Sequence, residues 1–195
     1  MTEYKSRFCP SPTGKMHLGN LRTALLNVLL ALQSKGNFLL RIEDTDLERS
    51  EMKYAEAIFK DLEWMGLAWQ EGPKVGGKEA SYFQSERSEI YDSFYNKLLE
   101  KNLIYPCFMS DEELKIIRRN QIAAGQPPRY SGNWANASEE EVKAEFAKGL
   151  KPVYRFRIPK DKTISFHDLV KGEQVFSGKD LDDFIVKKKD GNPTF

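Results

Sequence analysis

The segment over residues 7–20, with the sequence RFCPSPTGKMHLGN, limits what this chain can fold into more than any other part of it. A strand pattern precedes it over residues 4–9, and Pro10 and Pro12 end that strand because proline cannot donate to a β-ladder. Apolar residues at helical spacing follow over residues 18–34. A strand, a glycine-containing loop and a helix in this order are typical of the nucleotide site of an α/β protein.

A second strand and a second helix follow, so the chain begins in βαβα order. Residues 38–42 form a compact apolar run that suits a buried parallel strand. Residues 52–65 have the spacing of an amphipathic helix. We therefore predict an α/β fold, the first half of a Rossmann-like nucleotide-binding domain, over residues 1–84.

The pattern then changes to α+β, and we predict an inserted domain over residues 85–186. A helix is predicted over residues 86–101, and Tyr105-Pro106 is predicted to turn the chain. Two further helices are marked by capping boxes, Ser110 with Glu113 and Ser138 with Glu141. Short strands are predicted over residues 153–158, 163–167, 174–176 and 184–187.

The last residues resemble the start of a strand that has no continuation. Asp190-Gly191 is a turn signal, and we assign residues 187–195 to a segment that returns into the first domain. A nucleotide-binding sheet normally has more than the two parallel strands found here. We therefore expect the chain to be part of a longer protein.

Composition excludes several classes of protein. The chain has 30 Lys and Arg against 29 Asp and Glu, so its net charge of +1 gives no general attraction to nucleic acid, and such binding must come from local patches. Cys9 and Cys107 are the only cysteines, as expected for reduced thiols in a cytoplasmic protein. The longest apolar run is too short to cross a bilayer, and the N-terminus lacks the apolar core of a signal peptide.

His17 and Gly19 stand at the predicted start of the first helix. Free backbone N–H groups and the helix dipole favour anions there. Gly19 would let a phosphate or a purine ring approach the backbone closely, and His17 could donate a hydrogen bond to a phosphate oxygen. A histidine that only caps the helix is the alternative.

Arg7 and Glu43 each end one of the predicted parallel strands, so we expect them at the same edge of the sheet. A guanidinium can hold a carboxylate in a bidentate fork. Glu43 and Asp46 could hold an ammonium group, and Ser11 adds a neutral hydrogen-bonding group. These side chains predict a site for a zwitterion beside a nucleotide, with Arg7, Glu43 and His17 around one pocket. An Arg7–Glu43 ion pair is the alternative.

Together these segments resemble the glutamyl-tRNA synthetases, a family of class I aminoacyl-tRNA synthetases. The segment RFCPSPTG is similar to the N-terminal signature of that family, and HLGN at residues 17–20 is similar to its "HIGH" motif. The resemblance continues through RIEDTD at 41–46, WMGL at 64–67, QSER at 84–87 and DGNPT at 190–194. It covers essentially the whole chain, and several motifs in the right order are far more specific than one short pattern.

The resemblance implies a two-step reaction. The α-carboxylate of glutamate attacks the α-phosphate of ATP, giving glutamyl-adenylate and pyrophosphate, and the glutamyl group then passes to the terminal adenosine of tRNA(Glu). Arg7 would bind the side-chain carboxylate of glutamate, while Ser11 and Glu43 would hold its amino group. ATP, used with Mg²⁺, would contact Thr13, His17, Gly19 and Asn20, of which His17 and Gly19 are the catalytic residues.

The inserted domain would then be the acceptor-stem-binding domain of the family. Its candidates for contact with tRNA phosphates are Lys115, Arg118, Arg119, Arg129, Lys187 and Lys188, and for each of them a solvated charged face is the alternative. Some members of the family bind zinc here through a Cys-x-Cys pair and a later cysteine. Because Cys107 is followed by Met109 in the second position of that pair, we predict no zinc site.

Phe195 stands where the family usually has a tyrosine that touches glutamate, so it is a candidate glutamate contact that lacks one hydroxyl. The family's KMSKS-like loop and anticodon-binding region would lie beyond residue 195, and we expect the isolated chain to be inactive. Two alternatives remain: a non-catalytic module that binds only tRNA or glutamate, and the shortened paralogue that glutamylates queuosine in tRNA(Asp). We expect a cytoplasmic monomer.

Overall fold

The computed structural model describes residues 3–79, 81–130 and 132–194 of the chain. Within these ranges the α-helices are Leu18–Ser34 (α1), Met52–Trp64 (α2), Ser88–Glu100 (α3), Asp111–Ala123 (α4) and Glu139–Ala147 (α5). The strands are Lys5–Phe8 (β1), Asn37–Leu40 (β2), Ile104–Cys107 (β3), Val153–Phe156 (β4), Thr163–Asp168 (β5), Gly172–Ser177 (β6) and Ile185–Lys187 (β7). Short 3₁₀ turns occupy Gln84–Arg87, Asn133–Asn136 and Gly178–Asp180. None of the helices in these ranges is long and apolar enough to cross a membrane.

The predicted βαβα start is confirmed, and its two strands are parallel. β1 pairs with β2 in the register Lys5 to Asn37 and Arg7 to Leu39. On the other side of β2, the backbone N–H of Leu40 donates to the carbonyl of Glu71. Further along, an isolated parallel bridge joins Ile42 to Phe83. The segment after residue 37 therefore lies between β1 on one side and two successive short segments, at residue 71 and at residue 83, on the other.

The helix α1 has the predicted bounds, but only part of its apolar spacing faces the core. Val28 is buried and Leu21 packs against the core, whereas Leu25, Leu29 and Leu32 are exposed. The helix instead buries its small residues, Ala24, Val28, Ala31 and Ser34. Small side chains let the helix axis approach the sheet closely, so the tertiary contact favours them over the more hydrophobic leucines.

The core of the first unit lies between the sheet and its two helices. Residues of a strand alternate between faces, and the buried face carries Phe8 of β1 and Phe38 and Leu40 of β2. The helix α2 contributes the buried residues Ala55, Ile58, Phe59 and Leu62. The opposite face of β1 carries the charged side chains of Lys5 and Arg7.

A second unit is built from an antiparallel sheet and a hairpin. The sheet has the order β3-β4-β7, and β5 pairs with β6. Both predicted capping boxes, at Ser110 and Ser138, are present. The predicted turn at Tyr105-Pro106 is wrong, because both residues lie within β3. β3 is an edge strand, where a proline costs no hydrogen bond of the ladder.

The two compact units divide after Tyr91: the first runs up to that residue and the second spans Asp92–Thr194. We placed the boundary at residues 84/85 and a return to the first domain at residue 187. β7 pairs with β4 in the second unit, and a further bridge joins Lys187 to Pro193. The boundaries at 84/85 and 187 refer to functional domains, and they stay predictions.

Candidate active site

The charged face of the parallel sheet borders a cavity of about 510 Å³. Strand alternation places Lys5 and Arg7 of β1 on this face, next to Leu39 and Arg41. The lining residues are Lys5, Arg7, Leu39, Arg41, Glu79, Tyr82 and Arg87. A cavity of this size has room for a small polar ligand. Of its lining, sequence reasoning singled out only Arg7, although the alternation of charged and apolar residues in β1 could have indicated Lys5.

A buried carboxylate neutralises Lys5. The Nζ atom of Lys5 lies 2.5 Å from Oε2 of Glu71, and the hydroxyl of Tyr82 donates to Oε1 of Glu71 at 2.7 Å. Burial opposes ionisation of Glu71, but the hydrogen bonds from Lys5 and Tyr82 outweigh it and lower the pKa of the carboxyl group. The same bond to Glu71 raises the pKa of Lys5, and burial raises the pKa of Tyr82.

Gly77 makes this close packing possible. Its φ is +143°, in the region that favours glycine. A Cβ atom at this position would collide with the side chains of Glu71 and Tyr82. A glycine at position 77 therefore leaves the room that the Glu71–Tyr82 hydrogen bond occupies.

The carboxylate of Glu43 is held by Arg41 and Gln84. Nε and Nη2 of Arg41 lie 2.9 and 2.7 Å from Oε1 of Glu43. Nε2 of Gln84 donates to Oε1 at 3.0 Å and to Oε2 at 3.1 Å. Glu43 is only 7% exposed. The Arg7–Glu43 ion pair, which was the alternative to a substrate site, is not formed among the described residues.

Arg7 is left with an unneutralised guanidinium. Its backbone N–H donates to Oδ1 of Asn27, but its exposed side chain has no hydrogen bond or ion pair within residues 3–79, 81–130 and 132–194. The neighbouring Arg87 donates through Nη1 to the carbonyls of Glu79 and Ser81, each at 2.8 Å. The cavity therefore offers a free cation to an anionic ligand.

His17 caps α1. Helix capping was the alternative to a ligand-binding role for this residue. Its Nδ1 accepts a hydrogen bond from the backbone N–H of Gly19 at 3.1 Å, and its own N–H donates to Oδ1 of Asn20 at 3.2 Å. Because Nδ1 accepts, the neutral ring carries its proton on Nε2 and can donate there. Capping and donation to an anion are therefore compatible in this geometry.

Gly19 is needed for that cap. A Cβ atom at this position would lie 2.9 Å from Cε1 of His17, closer than real Cβ atoms come to other atoms, and 3.0 Å from Nδ1, so the imidazole would have to move. The glycine therefore lets the imidazole lie over the first turn of the helix. This is a second reason for a glycine here, besides the close approach of a ligand to the backbone.

The described cavities do not bring Arg7, Glu43 and His17 together. Arg7 lines the cavity of about 510 Å³, His17 lines another of about 230 Å³, and Glu43 lines neither. Glu43 is tied to the loop before the helix, since its N–H donates to the carbonyl of Pro10 at 3.0 Å. The single pocket expected from the sequence is thus not seen, and the roles assigned to these side chains stay predictions.

The remaining candidates of the first unit add little to the geometry. Ser11 and Thr13 are exposed on the loop before α1. Phe195, the predicted glutamate contact, lies outside the described residues.

Comparison with known proteins identifies the family. The family model for "tRNA synthetases class I (E and Q), catalytic domain" matches residues 3–195. The chain belongs to this family. It is 52% identical over 194 residues to "Glutamate--tRNA ligase 2" of Nitrosococcus oceani and 50% identical over 191 residues to glutamate–tRNA ligases of Coxiella burnetii.

Solved structures of the family agree with the fold. A glutamate–tRNA ligase of Elizabethkingia meningosepticum, determined in complex with its amino acid, matches 99% of the chain with a TM-score of 0.89 and 39% identity. The glutamate–tRNA synthetase of Elizabethkingia anophelis matches 98% with a TM-score of 0.90. The predicted α/β class I synthetase fold is therefore confirmed. The chain spans about two fifths of the length of these relatives, 41% of the Nitrosococcus protein and 40% of each solved chain.

The predicted tRNA contacts of the second unit fall into two groups. Lys115, Arg118 and Arg119 are exposed on α4, and their spacing of three and four residues places them on one side of the helix. Arg129 and Lys187 instead have local partners, because Arg129 donates to the carbonyl of Lys179 at 2.7 Å and Lys187 lies 2.7 Å from Asp92. Lys188 is half-buried in the turn after β7.

The surroundings of Cys107 do not fit the zinc site of some family members. The thiol is fully buried, and it lies 3.5 Å from the hydroxyl of Tyr130. Its neighbours form an apolar cluster with Tyr105 and Tyr130, against which Met109 and Trp134 pack. Within the described ranges no three His, Cys, Asp or Glu side chains group as metal ligands. A tyrosine hydroxyl and one thiol cannot replace three or four zinc ligands.

Proposed function

We propose that this chain is the N-terminal part of the catalytic region of a glutamate–tRNA ligase, without the KMSKS-like loop. Glutamate and ATP would react to give glutamyl-adenylate and pyrophosphate. The adenylate and tRNA(Glu) would then give glutamyl-tRNA and AMP. ATP would enter as its Mg²⁺ complex, which neutralises charge on the phosphates during the displacement.

The free guanidinium of Arg7 is the observation that carries this proposal. Lys5 and Arg41 beside it are neutralised by Glu71 and Glu43. Arg7 and Arg87 are the lining cations without an ion pair among the described residues, and Arg87 already donates to two backbone carbonyls, so an anionic ligand would find Arg7 with all of its side-chain donors unused. A planar guanidinium binds a carboxylate with two parallel hydrogen bonds. The side-chain carboxylate of glutamate has the charge and shape that this position favours.

Glu43 would hold the amino group of the same substrate. It lies four residues beyond Leu39, the register partner of Arg7, and alternation places it on the same face of the sheet. This separation is about 13 Å along an extended chain, which the two long side chains and a bound glutamate would bridge. Ser11 would add a hydrogen bond from the loop next to Glu43.

The start of α1 would receive the phosphates of ATP. The helix N-terminus favours an anion, and the Nε2–H of His17 could stabilise the negative charge that builds on the α-phosphate. Thr13, Gly19 and Asn20 lie in the same loop and first turn. His17 and Gly19 would be the catalytic residues of this half of the site.

The second unit would bind the acceptor stem of tRNA(Glu). The exposed cations on α4 support phosphate contacts, because each neutralised phosphate releases counterions and strengthens binding. Arg129, Lys187 and Lys188 would add contacts from the segment after α4, the end of β7 and the turn after it. We further propose that the enzyme works as a monomer in the cytoplasm.

The test replaces the matching N-terminal residues of the Nitrosococcus oceani ligase by this chain. We expect the chimera to exchange labelled pyrophosphate into ATP with glutamate and tRNA(Glu), and not with glutamine. Charging of tRNA(Asp) in place of tRNA(Glu) would support the queuosine-modifying alternative. An inactive chimera that still binds glutamate or tRNA, beside an active parent enzyme, would support the non-catalytic alternative. The isolated chain is expected to bind glutamate without exchanging pyrophosphate.

A further inference from the structure

The side chains that hold Glu43 leave one of its oxygens incompletely bonded. Oε1 of Glu43 accepts from both Nε and Nη2 of Arg41 and from Gln84. Oε2 accepts only from Gln84, at 3.1 Å, among the contacts of the described residues. Since each carboxylate oxygen has two lone pairs, Oε2 retains acceptor capacity while Oε1 is saturated.

Gln84 makes these bonds without satisfying its own acceptor. The side chain is 8% exposed, and its carbonyl oxygen Oε1 is buried with no hydrogen-bond partner in the part of the chain that the structure describes. Buried amides normally pair both ends. The orientation of this amide is therefore set by the hydrogen bonds that its Nε2 donates to Glu43, and not by a hydrogen bond to its own carbonyl oxygen.

The backbone fixes Gln84 in this position. Its N–H donates to the carbonyl of Ile42 at 3.0 Å. The next residue, Ser85, donates through its N–H and its hydroxyl to the carboxylate of Asp44 at 2.9 and 2.6 Å. The segment after residue 82 thus runs beside residues 42–44, and Gln84 reaches Glu43 from a segment that backbone and side-chain hydrogen bonds hold in place.

We propose that Gln84 is a positioning residue for the ammonium group of the amino-acid substrate. It fixes the carboxylate of Glu43 while Arg41 saturates Oε1, so that Oε2 is the atom that accepts a hydrogen bond from the ammonium group. This inference rests on the proposed function, in which Glu43 holds the amino group of glutamate. Gln84 acts on the ammonium group through Glu43 and does not contact the substrate's carboxylates.

The test compares two ligands that differ only in the amino group. Calorimetry measures the affinity of the chain for L-glutamate and for glutarate, which has both carboxylates but no amine. The unmodified chain should bind glutamate more tightly. Gln84→Met removes the amide at nearly constant length and should weaken glutamate binding at least tenfold, with the affinity for glutarate changed less than twofold. Gln84→Asn, whose amide is too short to reach Glu43, should show the same selective loss.

Gln33→Met is the matched control, because Gln33 is exposed on α1 and should leave both affinities unchanged. Equal losses for both ligands in the Gln84 variants would mean a merely structural role and would overturn the inference, as would no loss at all. An unmodified chain that binds glutamate and glutarate equally would also overturn it. An unmodified chain that binds neither ligand would overturn the proposed function together with this inference.

Discussion

Arg41, and not Arg7, supplies the guanidinium that pairs with Glu43: its Nη2 lies 2.7 Å from Oε1 of the carboxylate. The two residues are two positions apart, so strand alternation places both side chains on one face. This local pairing leaves Arg7 free on the same face. The site therefore has an Arg41–Glu43 ion pair beside the guanidinium of Arg7, which has no acidic partner among the described residues.

Removing the free cation should affect one substrate only. Arg7→Ala should weaken glutamate binding by about 1.5–3 kcal/mol, the range for a hydrogen bond to a charged group, and should leave the affinity for ATP unchanged. Calorimetry with each ligand measures the two effects. Arg22→Ala, at an exposed arginine of α1, is the control. Equal losses for glutamate and ATP would contradict the role assigned to Arg7.

The cap formed by His17 should depend on Gly19. Gly19→Ala places a methyl group against the imidazole ring, so the hydrogen bond from the N–H of Gly19 to Nδ1 should be lost. Loss of an N-cap costs about 1 kcal/mol of stability, but alanine gains about 1 kcal/mol over glycine within a helix, so urea unfolding should change little. The ¹⁵N shift of Nδ1 reports the bond directly.

Gly14→Ala is the matched control for this change. A Cβ at Gly14 would meet nothing within 4 Å, so that variant should keep the Nδ1 shift of the unmodified chain. A Gly19→Ala variant with an unchanged Nδ1 shift would show that the cap does not need a glycine.

Stability should fall in acid through Glu71. Its pKa is lowered in the folded chain, so its ionised form stabilises the fold above the unfolded-state pKa of about 4.3. That contribution is lost as the pH falls through the lower, folded-state value. Urea unfolding between pH 6 and pH 3 should show a loss in the unmodified chain that is smaller in Glu71→Gln.

At high pH the stability of the fold should fall through Lys5. The pKa of Lys5 is raised by the hydrogen bond to Glu71, so this pair should persist through neutral pH and weaken only as the pH rises through the raised value. Identical acid limbs for the unmodified chain and Glu71→Gln would contradict the assignment to Glu71.

Chelators should not affect the second unit. Because Cys107 is buried among aromatic side chains without a set of metal ligands in the described ranges, the purified chain should contain no stoichiometric zinc. Its melting temperature should not change on dialysis against EDTA. Atomic absorption measures the first quantity and circular dichroism the second. One zinc per chain, with melting lowered by EDTA, would show that the prediction is wrong.

Local signals predicted the elements of the fold well. The bounds of α1 and the capping boxes at Ser110 and Ser138 follow from interactions within four residues, so they can be read from the sequence. Tyr105-Pro106 was misread as a turn because a proline is acceptable in a strand once no neighbour needs its N–H. Whether a strand lies at an edge is not a local property.

The site was predicted only in part, for a related reason. Strand ends and the helix start can be located from residue order, and this order singled out Arg7, Glu43 and His17, whose roles stay predictions. Their partners could not, because Gln84 is 41 residues from Glu43 in sequence and Glu71 is 66 residues from Lys5. Such contacts exist only once these segments lie side by side.

The sequence by itself determined the family, the order of strands and helices, and the positions of the charged strand ends, since motifs and periodicity are properties of neighbouring residues. Only the tertiary structure decided which face of α1 is buried, which carboxylate neutralises which cation, and therefore which guanidinium remains free. Those outcomes depend on packing distance and on competition between charges far apart in the chain. A linear pattern contains neither quantity.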